Sequence, residues 1–276
     1  MYTSPAPQSA RSAVTVPMLL QMKRNRERIA TLTAYDASFA RAMDHAGIDA
    51  VLVGDSLGMV IKGGANTVSV SIDDRVYHSR CVAQGLQSAL LIADMPFQSY
   101  ATPERALDAA TALLSEGMAS MVKLEGAGFV LDAIAFLSER DIPVCAHLGL
   151  TPQSVLKLGG FKVQGRDEQA ALAIIEQAKQ VERAGAQLLV LECLPSSLAK
   201  SVTETVGIPT IGIGAGPDCD GQILVSYDAL GINSGHRRPR FVKDFLAGNG
   251  SIDAAFAQYV RDVKSGEFPS LEHGYA

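Results

Sequence analysis

The sequence predicts an α/β fold, a (β/α)8 barrel, from three observations. Strand-like and helix-like segments alternate from about residue 29 to residue 231. The strand-like runs are apolar without alternation, which is typical of parallel strands covered on both faces. The length of 276 residues suits one large barrel or two ordinary domains. A doubly wound open sheet is the alternative, because strand order cannot be read from periodicity.

Eight strands are predicted in chain order. Most of them follow a turn residue and end at a glycine or at a charged side chain. The eight segments are residues 29–35, 50–55, 90–94, 121–125, 142–146, 188–192, 208–213 and 222–225.

Helices are predicted between the strands from capping residues and apolar periodicity. The segment Thr102–Pro103–Glu104 combines a capping hydroxyl, a proline in the first turn and an acid at the positive end of the helix. Asp167 caps the helix with the clearest apolar stripe, which ends at Gly185. The first six predicted helices end near residues 47, 85, 117, 140, 185 and 206, and two more span about residues 242–246 and 252–264.

Composition limits the location and partners of the chain. The net charge of −5 and the lack of a basic stripe argue against nucleic acid or an anionic membrane as partner. No apolar run is long enough to span a bilayer, and the four cysteines form no C-x-x-C pair. We therefore expect a cytoplasmic protein. Residues 1–16 are rich in Ala, Ser and Pro and are expected to be a disordered leader before a single barrel domain, residues 17–276.

Four of the apolar runs end at a single acid, namely Asp55, Asp94, Glu125 and Glu192. The carboxyl ends of parallel strands are where α/β enzymes place their chemistry. Carboxylates that converge there repel one another unless a cation joins them. Mg²⁺ suits the first three acids, because it binds one or two carboxylates together with waters and substrate oxygens. For any single acid, a helix cap or a salt bridge at the rim is the plain alternative.

Other polar residues at these strand ends are candidates for substrate contacts. Lys123 lies two residues before Glu125, so both point to the same face, and a lysine inside a barrel needs an anion such as a substrate carboxylate or a neighbouring acid. Ser56 can donate to a carboxylate. His147 can act as a metal ligand, hydrogen-bond donor or acid/base, or be structural. Glu192 comes two strands after Glu125, apart from the acids expected at the metal, so it is a candidate general base or acid.

Two glycine-containing loops could also bind ligands. Residues 212–217 follow the seventh strand, where many barrels bind phosphate, although glycines there also serve tight turns. Residues 159–166 combine glycines, two cations and an aromatic residue, which is compatible with a mobile lid, with part of a second ligand's pocket, or with an ordinary surface loop.

These motifs, in this order and spacing, resemble the ketopantoate hydroxymethyltransferase family. The resemblance extends from about residue 16 to residue 266, and no single motif decides it. The matching stretches are Thr33–Asp36, Val53–Gly58, Ala93–Phe97, Val122–Gly126, Ala146–Gln153, the 159–166 loop, Leu191–Cys193 and Gly212–Gly216.

The resemblance implies a (β/α)8 barrel of the phosphoenolpyruvate mutase/isocitrate lyase type. It also implies transfer of a one-carbon unit from 5,10-methylenetetrahydrofolate to 3-methyl-2-oxobutanoate, which gives 2-dehydropantoate for pantothenate biosynthesis. The family assembles as a decamer of two pentameric rings, so a large homo-oligomer is expected. A 2-oxo acid that chelates Mg²⁺ through its keto and carboxylate oxygens loses its C3 proton more readily, and the stabilised enolate then attacks the methylene carbon.

The resemblance also implies roles for individual residues. Asp55 and Asp94 are expected to bind Mg²⁺, with Glu125 completing the metal site directly or through water. Glu192 is the expected proton acceptor, although the sequence does not say which proton it handles. The expected substrate-binding residues are Asp55, Ser56, Asp94 and Lys123, to which we add His147.

Two other functions compete with this hypothesis. One is a lyase or mutase of the same barrel group that uses Mg²⁺–oxyacid chemistry without folate. The glycines after the seventh strand are compatible with this function, because they could bind a phosphate or phosphonate. The other is a non-catalytic metabolite-binding barrel that keeps the metal site.

Overall fold

The eight predicted strands close into a single barrel, with each strand parallel to its neighbours in chain order and β8 paired with β1. The computed structural model describes residues 11–232 and 238–276. Closure of the ring excludes the open-sheet alternative. The strands are β1 (Ile29–Thr33), β2 (Ala50–Val53), β3 (Leu90–Asp94), β4 (Met121–Glu125), β5 (Val144–Gly149), β6 (Leu188–Glu192), β7 (Thr210–Ile213) and β8 (Gly221–Leu224).

Helices occupy most of the predicted positions between the strands. Thr102 and Asp167 cap their helices as expected, accepting hydrogen bonds from backbone N–H groups three residues on. The helices are α1 (Val16–Asn25), α2 (Ala37–Ala46), α3 (Leu57–Val60), α4 (Ile72–Ala83), α5 (Pro103–Ser115), α6 (Val130–Ser138), α7 (Val155–Leu158), α8 (Glu168–Arg183), α9 (Ser196–Thr205), α10 (Ser226–Ala229) and α11 (Ile252–Ser265).

Two local predictions differ from the structure. The predicted helix at residues 242–246 does not form: Asp244 accepts hydrogen bonds from the backbone N–H groups of Leu246 and Ala247, which stabilises a turn instead. The fifth strand begins two residues later than predicted and runs on through His147 to Gly149. Between β7 and β8, where the sequence predicted no helix, the connection is a short loop.

The first described residues contact the bottom of the barrel. Val14 is buried and its N–H donates to the carbonyl of Ser88 at 2.7 Å, while Arg11 donates to the carbonyl of Gly47 at 2.7 Å. Residues 11–16 of the predicted leader are therefore packed against the folded body. Residues 1–10 lie outside the described part of the chain.

The core has two layers. One lies between the strands and the surrounding helices. The other fills the barrel interior with side chains from alternate strand positions, among them Ile29, Leu90, Met121 and Leu188. Leu19 of α1 is fully buried against this inner cluster, so α1 covers the amino-terminal end of the barrel. The apolar filling stops at Lys123, and above it the interior becomes polar.

In the described ranges, no helix has both the length and the apolar composition needed to cross a bilayer.

Candidate active site at the barrel mouth

Three of the predicted acids meet at the carboxyl ends of neighbouring strands. Asp55 follows β2 by two residues, and Asp94 and Glu125 end β3 and β4. Their side chains are buried, and one carboxylate oxygen of each lies within 4.8 Å of the others. The backbone N–H of Asp55 donates to Asp94 Oδ2 at 3.2 Å. By contrast Asp36, after β1, caps α2, which is the ordinary role of an acid at a strand end.

Lys123 lies among these acids inside the barrel. Its ammonium donates to Asp94 Oδ2 at 2.9 Å and lies 3.5 Å from Glu125 Oε1. Burial opposes the charge, but the surrounding carboxylates outweigh it and raise the pKa of the lysine, which stays protonated. The anionic partners that Lys123 needs are thus Asp94 and Glu125. A substrate carboxylate would bind the same ammonium beside them.

Burial also acts on the carboxylates themselves. It raises the pKa of Asp55 to about 7, with the neighbouring charges of Glu125 and Asp94 adding to the effect. The pKa of Glu125 is raised to about 7 by burial, against the opposing charge of Lys123. The single positive charge of Lys123 therefore does not neutralise the three carboxylates, and a further cation bound among them would be stabilised.

His147 joins this cluster to the fourth predicted acid. Its Nδ1 lies 3.3 Å from Glu125 Oε1, and its Nε2 lies 3.3 Å from Glu192 Oε2, although neither nitrogen is aligned for a hydrogen bond. The structure thus brings His147 to the centre of the site. Burial raises the pKa of Glu192, with His147 opposing the shift. The Glu192 side chain is 16% exposed, against 1–2% for Asp94 and Glu125, so it faces the cavity.

Ser56, and other residues without a predicted role, form hydrogen bonds around the acids. Ser56 Oγ and the Tyr35 hydroxyl share a 2.7 Å hydrogen bond. Gln153 donates its backbone N–H to Glu125 Oε2 at 3.0 Å, and its side chain accepts from Tyr100 at 2.8 Å. The Tyr35 and Gln153 positions fall within the matching stretches, but a hydrogen bond across the barrel leaves no periodic signal in the sequence.

The sequence also did not indicate Arg75 of α4 as a residue of the site. Its guanidinium is fully buried and donates to the carbonyl of Val53 at 3.2 Å, just before the turn that carries Asp55. Its Nε and Nη2 have no partner in the described ranges, and its charge lowers the pKa of Asp55 against the larger effect of burial. In the sequence, Arg75 reads as an ordinary polar residue of an amphipathic helix.

Asp55, Ser56, Lys123, His147 and Glu192 line a cavity of about 890 Å³, and Asp94 and Glu125 lie behind them, in contact with Lys123. The 159–166 loop forms part of the outer wall through Phe161, Lys162 and Val163; its motion as a lid stays a prediction. The glycines after β7 serve close packing: a Cβ at Gly214 would lie 2.8 Å from the ring of Phe241, and one at Gly216 would lie 2.4 Å from Ser196 Oγ. The outer wall also contains residues that the sequence did not indicate, namely Arg238, Arg240, Phe241 and Tyr275.

The donor set fits a hard divalent cation. Asp55 Oδ2 and Asp94 Oδ1 are buried without a hydrogen-bond partner among the described residues, which is costly unless something positive binds them. All the candidate ligand atoms are carboxylate oxygens, the type that Mg²⁺ prefers. The pattern favours Mg²⁺ over a softer metal, since neither a thiolate nor an imidazole nitrogen is part of the three-acid group.

Comparison with solved structures confirms the class of fold. The chain superposes on phosphonopyruvate hydrolase in complex with oxalate and Mg²⁺ with a TM-score of 0.60, at 15% identity, over 94% of this chain and 93% of the other. The 2,3-dimethylmalate lyase, a PEP mutase/isocitrate lyase superfamily member, gives a TM-score of 0.59 at 18% identity, over 80% and 81%. The chain therefore has the (β/α)8 barrel fold of these two enzymes, with an acidic centre at its mouth.

Sequence comparison then identifies the family. The family model for ketopantoate hydroxymethyltransferase matches residues 13–271. The chain is 59% identical over 262 residues to the 3-methyl-2-oxobutanoate hydroxymethyltransferase of Stenotrophomonas maltophilia (strain R551-3), covering 95% of this chain and 96% of that one. It is 58% identical over 265 residues to that of Shewanella loihica (strain ATCC BAA-1088 / PV-4), covering 96% and 100%. The chain belongs to the ketopantoate hydroxymethyltransferase family and is an enzyme, which confirms the family predicted from its motifs.

Proposed function

We propose that the enzyme transfers the one-carbon unit of 5,10-methylenetetrahydrofolate to 3-methyl-2-oxobutanoate as a hydroxymethyl group. Water supplies the hydroxyl oxygen, tetrahydrofolate is released, and the product is 2-dehydropantoate for pantothenate biosynthesis. The observation that carries this is the division of acids in one cavity. Asp55, Asp94 and Glu125 form a cluster at a metal-binding separation, while Glu192 lies beyond His147 and faces the cavity. The family membership and the names of the relatives support the same activity.

Asp55 and Asp94 would hold one Mg²⁺, with Glu125 completing the site directly or through water. When bound, the ion supplies positive charge that draws electron density from the 2-oxo group and makes the C3 proton easier to remove. Glu125 is fixed for this position by the hydrogen bond from Gln153, and Asp55 by the turn after β2.

The other side chains act on the oxo acid itself. Lys123 places a fixed positive charge beneath the keto and carboxylate oxygens, and Ser56 offers a hydroxyl at the same end. Glu192 accepts the C3 proton, because burial raises its pKa toward the range that suits a base at neutral pH. His147 lies beside Glu192 and contributes a polar contact to the substrate.

We also propose a cytoplasmic homodecamer, as the family resemblance implies. The four cysteines, all in the described ranges, are free thiols, which suits a reducing compartment. Large apolar side chains are exposed on the helical surface, among them Tyr77, Met118, Phe129 and Leu172, and subunit contacts would cover such residues.

The test is an assay of 2-dehydropantoate formation from 3-methyl-2-oxobutanoate with Mg²⁺ and 5,10-methylenetetrahydrofolate, repeated with chelator. We expect product only when all three are present. Absence of product with any one-carbon donor would rule out the transferase. Turnover of an oxyacid without folate would indicate the lyase or mutase instead, and Mg²⁺-dependent binding of the oxo acid without turnover of any substrate would indicate the non-catalytic metabolite-binding barrel.

The Asp94→Ala variant tests the metal site within the same assay. Because Asp94 offers an unpartnered oxygen to the cluster and binds Lys123, its loss should abolish Mg²⁺-dependent turnover. Asp108→Asn, an exposed acid on α5, is the matched control and should behave as the parent enzyme. Near-normal activity of Asp94→Ala would contradict the assignment.

A further inference from the structure

Gln153 connects two of the acids at the barrel mouth from a position outside the cavity. It lies in the short 3-10 turn Pro152–Ser154 that follows β5, and it is 4% exposed. Neither Gln153 nor its hydrogen-bond partner Tyr100 lines the cavity. An effect of Gln153 on the chemistry would therefore act through the residues that it holds.

The backbone N–H of Gln153 fixes one oxygen of Glu125. It donates to Glu125 Oε2 at 3.0 Å, whereas Glu125 Oε1 lies 3.5 Å from the ammonium of Lys123 and 3.3 Å from His147 Nδ1. Because different groups hold the two carboxylate oxygens, the orientation of the Glu125 carboxylate depends on where this N–H lies. A hydrogen bond to a carboxylate weakens steeply when the donor moves out of line.

The side chain of Gln153 keeps that N–H in place. Its Nε2 donates to the carbonyl of Met95 at 2.9 Å, and its Oε1 accepts from the Tyr100 hydroxyl at 2.8 Å. Met95 directly follows Asp94, the last residue of β3. One amide thus ties the end of β3, which carries Asp94, to the backbone group that holds Glu125 at the end of β4.

Tyr100 is suited to its part in this link. Burial raises the pKa of the Tyr100 hydroxyl above its usual range, and the charges of Glu125 and Asp94 add to the effect. The hydroxyl therefore keeps its proton and remains a donor to Gln153. The carbonyl of Met95 can only accept, so the two ends of the amide have fixed and different partners.

We infer that Gln153 is a positioning residue for the metal site: its amide fixes Glu125 relative to Asp94 and so sets the affinity of the three acids for Mg²⁺. This inference rests on the metal site of the proposed function. Carboxylates that bind a metal are commonly held by further hydrogen bonds, and loss of such a partner typically costs about 10–100-fold in metal affinity or activity. Acids that are already held close together need less rearrangement when the ion binds.

Calorimetric titration of Mg²⁺ into the metal-free protein tests this inference, with urea unfolding and the Mg²⁺ dependence of kcat measured on the same variants. Gln153→Met keeps the length of the side chain and removes both of its hydrogen bonds. We expect its Kd for Mg²⁺ to rise by about tenfold or more. At saturating Mg²⁺ its kcat should return to within about threefold of the parent value, because mass action restores the bound state and the acids remain.

Tyr100→Phe is a milder variant that removes one hydroxyl. It should weaken Mg²⁺ binding by about threefold in the parent and cause no further loss in Gln153→Met, because the hydroxyl acts through the amide. If Gln153→Met does not fold, Tyr100→Phe decides the question, and an unchanged Kd for Mg²⁺ in that variant contradicts the inference.

Gln187→Met is the matched control. Gln187 Oε1 accepts from the backbone N–H of Val144 at 2.8 Å, at the start of β5 and so at the opposite end of the barrel from the acids. This variant should lose stability and keep the Kd for Mg²⁺ of the parent.

Two results would show that Gln153 is only structural while the proposed function stands. One is a Kd for Mg²⁺ of Gln153→Met within about twofold of the parent, which is less than the loss of a partner of a metal ligand costs. The other is a kcat of Gln153→Met that stays low at saturating Mg²⁺. If the parent neither binds Mg²⁺ nor forms 2-dehydropantoate, the proposed function fails, and the inference fails with it.

Discussion

Glu192 and Asp94 are both acids at strand ends, yet their surroundings differ in kind. Asp94 is held by an ammonium and a backbone N–H inside the barrel. Among the described residues, Glu192 has His147 as its one close ionic neighbour, and its side chain is open to the cavity. A carboxylate without fixed charged partners can change its protonation state with less rearrangement of the site. This difference is the residue-scale basis for giving the two acids different roles.

The Glu192→Gln variant should keep Mg²⁺ and oxo-acid binding and lose most of kcat. The amide has the size of the carboxylate but accepts no proton, and loss of a general base typically costs about 10²–10⁴-fold in rate. Steady-state kinetics together with calorimetric binding of Mg²⁺ and the oxo acid separates the two effects. Weakened binding at near-normal kcat would instead place Glu192 among the metal or substrate contacts.

The pH dependence of stability follows from the raised pKa values of Asp55 and Glu125. In the unfolded chain these carboxyls titrate near 4, so the folded protein binds more protons than the unfolded chain between about pH 4 and 7. The metal-free protein should therefore lose stability as the pH rises through this window.

Mg²⁺ should oppose that loss, because it binds the ionised carboxylates. Thermal unfolding with Mg²⁺ and with EDTA should show a larger Mg²⁺-dependent rise in Tm at pH 8 than at pH 6. The Asp94→Ala variant should show no such rise at either pH. An equal effect of Mg²⁺ at both pH values in the parent would contradict the carboxylate site.

The four acids that the sequence indicated share one property: each lies at the end of a continuous apolar run. Asp55, Asp94, Glu125 and Glu192 could be found in this way because a buried parallel strand has a clear composition and its carboxyl end has a known position in the fold. The residues that support these acids could not be found in this way. Gln153 and Arg75 reach the site from a turn and from a helix, and their contacts depend on tertiary packing that local pattern does not contain.

At the scale of elements, the strands were predictable and some connections were not. Composition marks a buried strand, whereas the turn around Asp244 depends on one side chain that competes with helix formation. α1 was missed, and Leu19 is its one buried residue. The connection from β7 to β8 lacks a helix, and glycine content alone could not distinguish close packing from a phosphate loop.

Gly149 at the end of β5 shows how an element sets the site. It pairs with Glu192 of β6, has a φ of 95°, and a Cβ there would lie 2.3 Å from the Glu192 carbonyl oxygen. Gly149→Ala should therefore displace the backbone of Glu192 and cost about 3 kcal/mol or more in the free energy of unfolding, with a loss of kcat. Urea unfolding and steady-state kinetics give the two values.

Gly128→Ala is the matched control for this substitution. Gly128 also has a positive φ, 71°, but nothing lies within 4 Å of the position a Cβ would take. It should lose only about 1–2 kcal/mol from backbone conformation and keep its kcat. Equal losses in the two variants would show that the contact with Glu192 is unimportant.

At the scale of the whole molecule, the residues that stabilise the barrel and the residues proposed to act in catalysis lie at opposite ends of its axis. The amino-terminal end is apolar and covered by α1, and the carboxyl end carries the charged groups. Leu19→Ala should lower the free energy of unfolding by about 2–5 kcal/mol, because it leaves a cavity in the inner cluster, and should leave kcat unchanged under folding conditions.

Met18→Ala, at a 37% exposed position of the same helix, should change stability by less than about 0.5 kcal/mol. Chemical unfolding of both variants, with activity measured in parallel, tests the separation. A loss of kcat in folded Leu19→Ala protein would show that the two ends of the barrel are coupled.

The covering of one end by α1 also has a kinetic consequence. With that end closed, the cavity formed by the described residues opens at the carboxyl end of the barrel. Both substrates of the proposed reaction would then enter from the same side, and the oxo acid would take the inner position beside Lys123. The larger folate of the proposed reaction, bound nearer the cavity mouth, would stand between solvent and the inner position. The oxo acid is therefore expected to enter first and the new carbon skeleton to leave last, so a short helix far from the chemistry would impose an ordered sequence of arrival and departure.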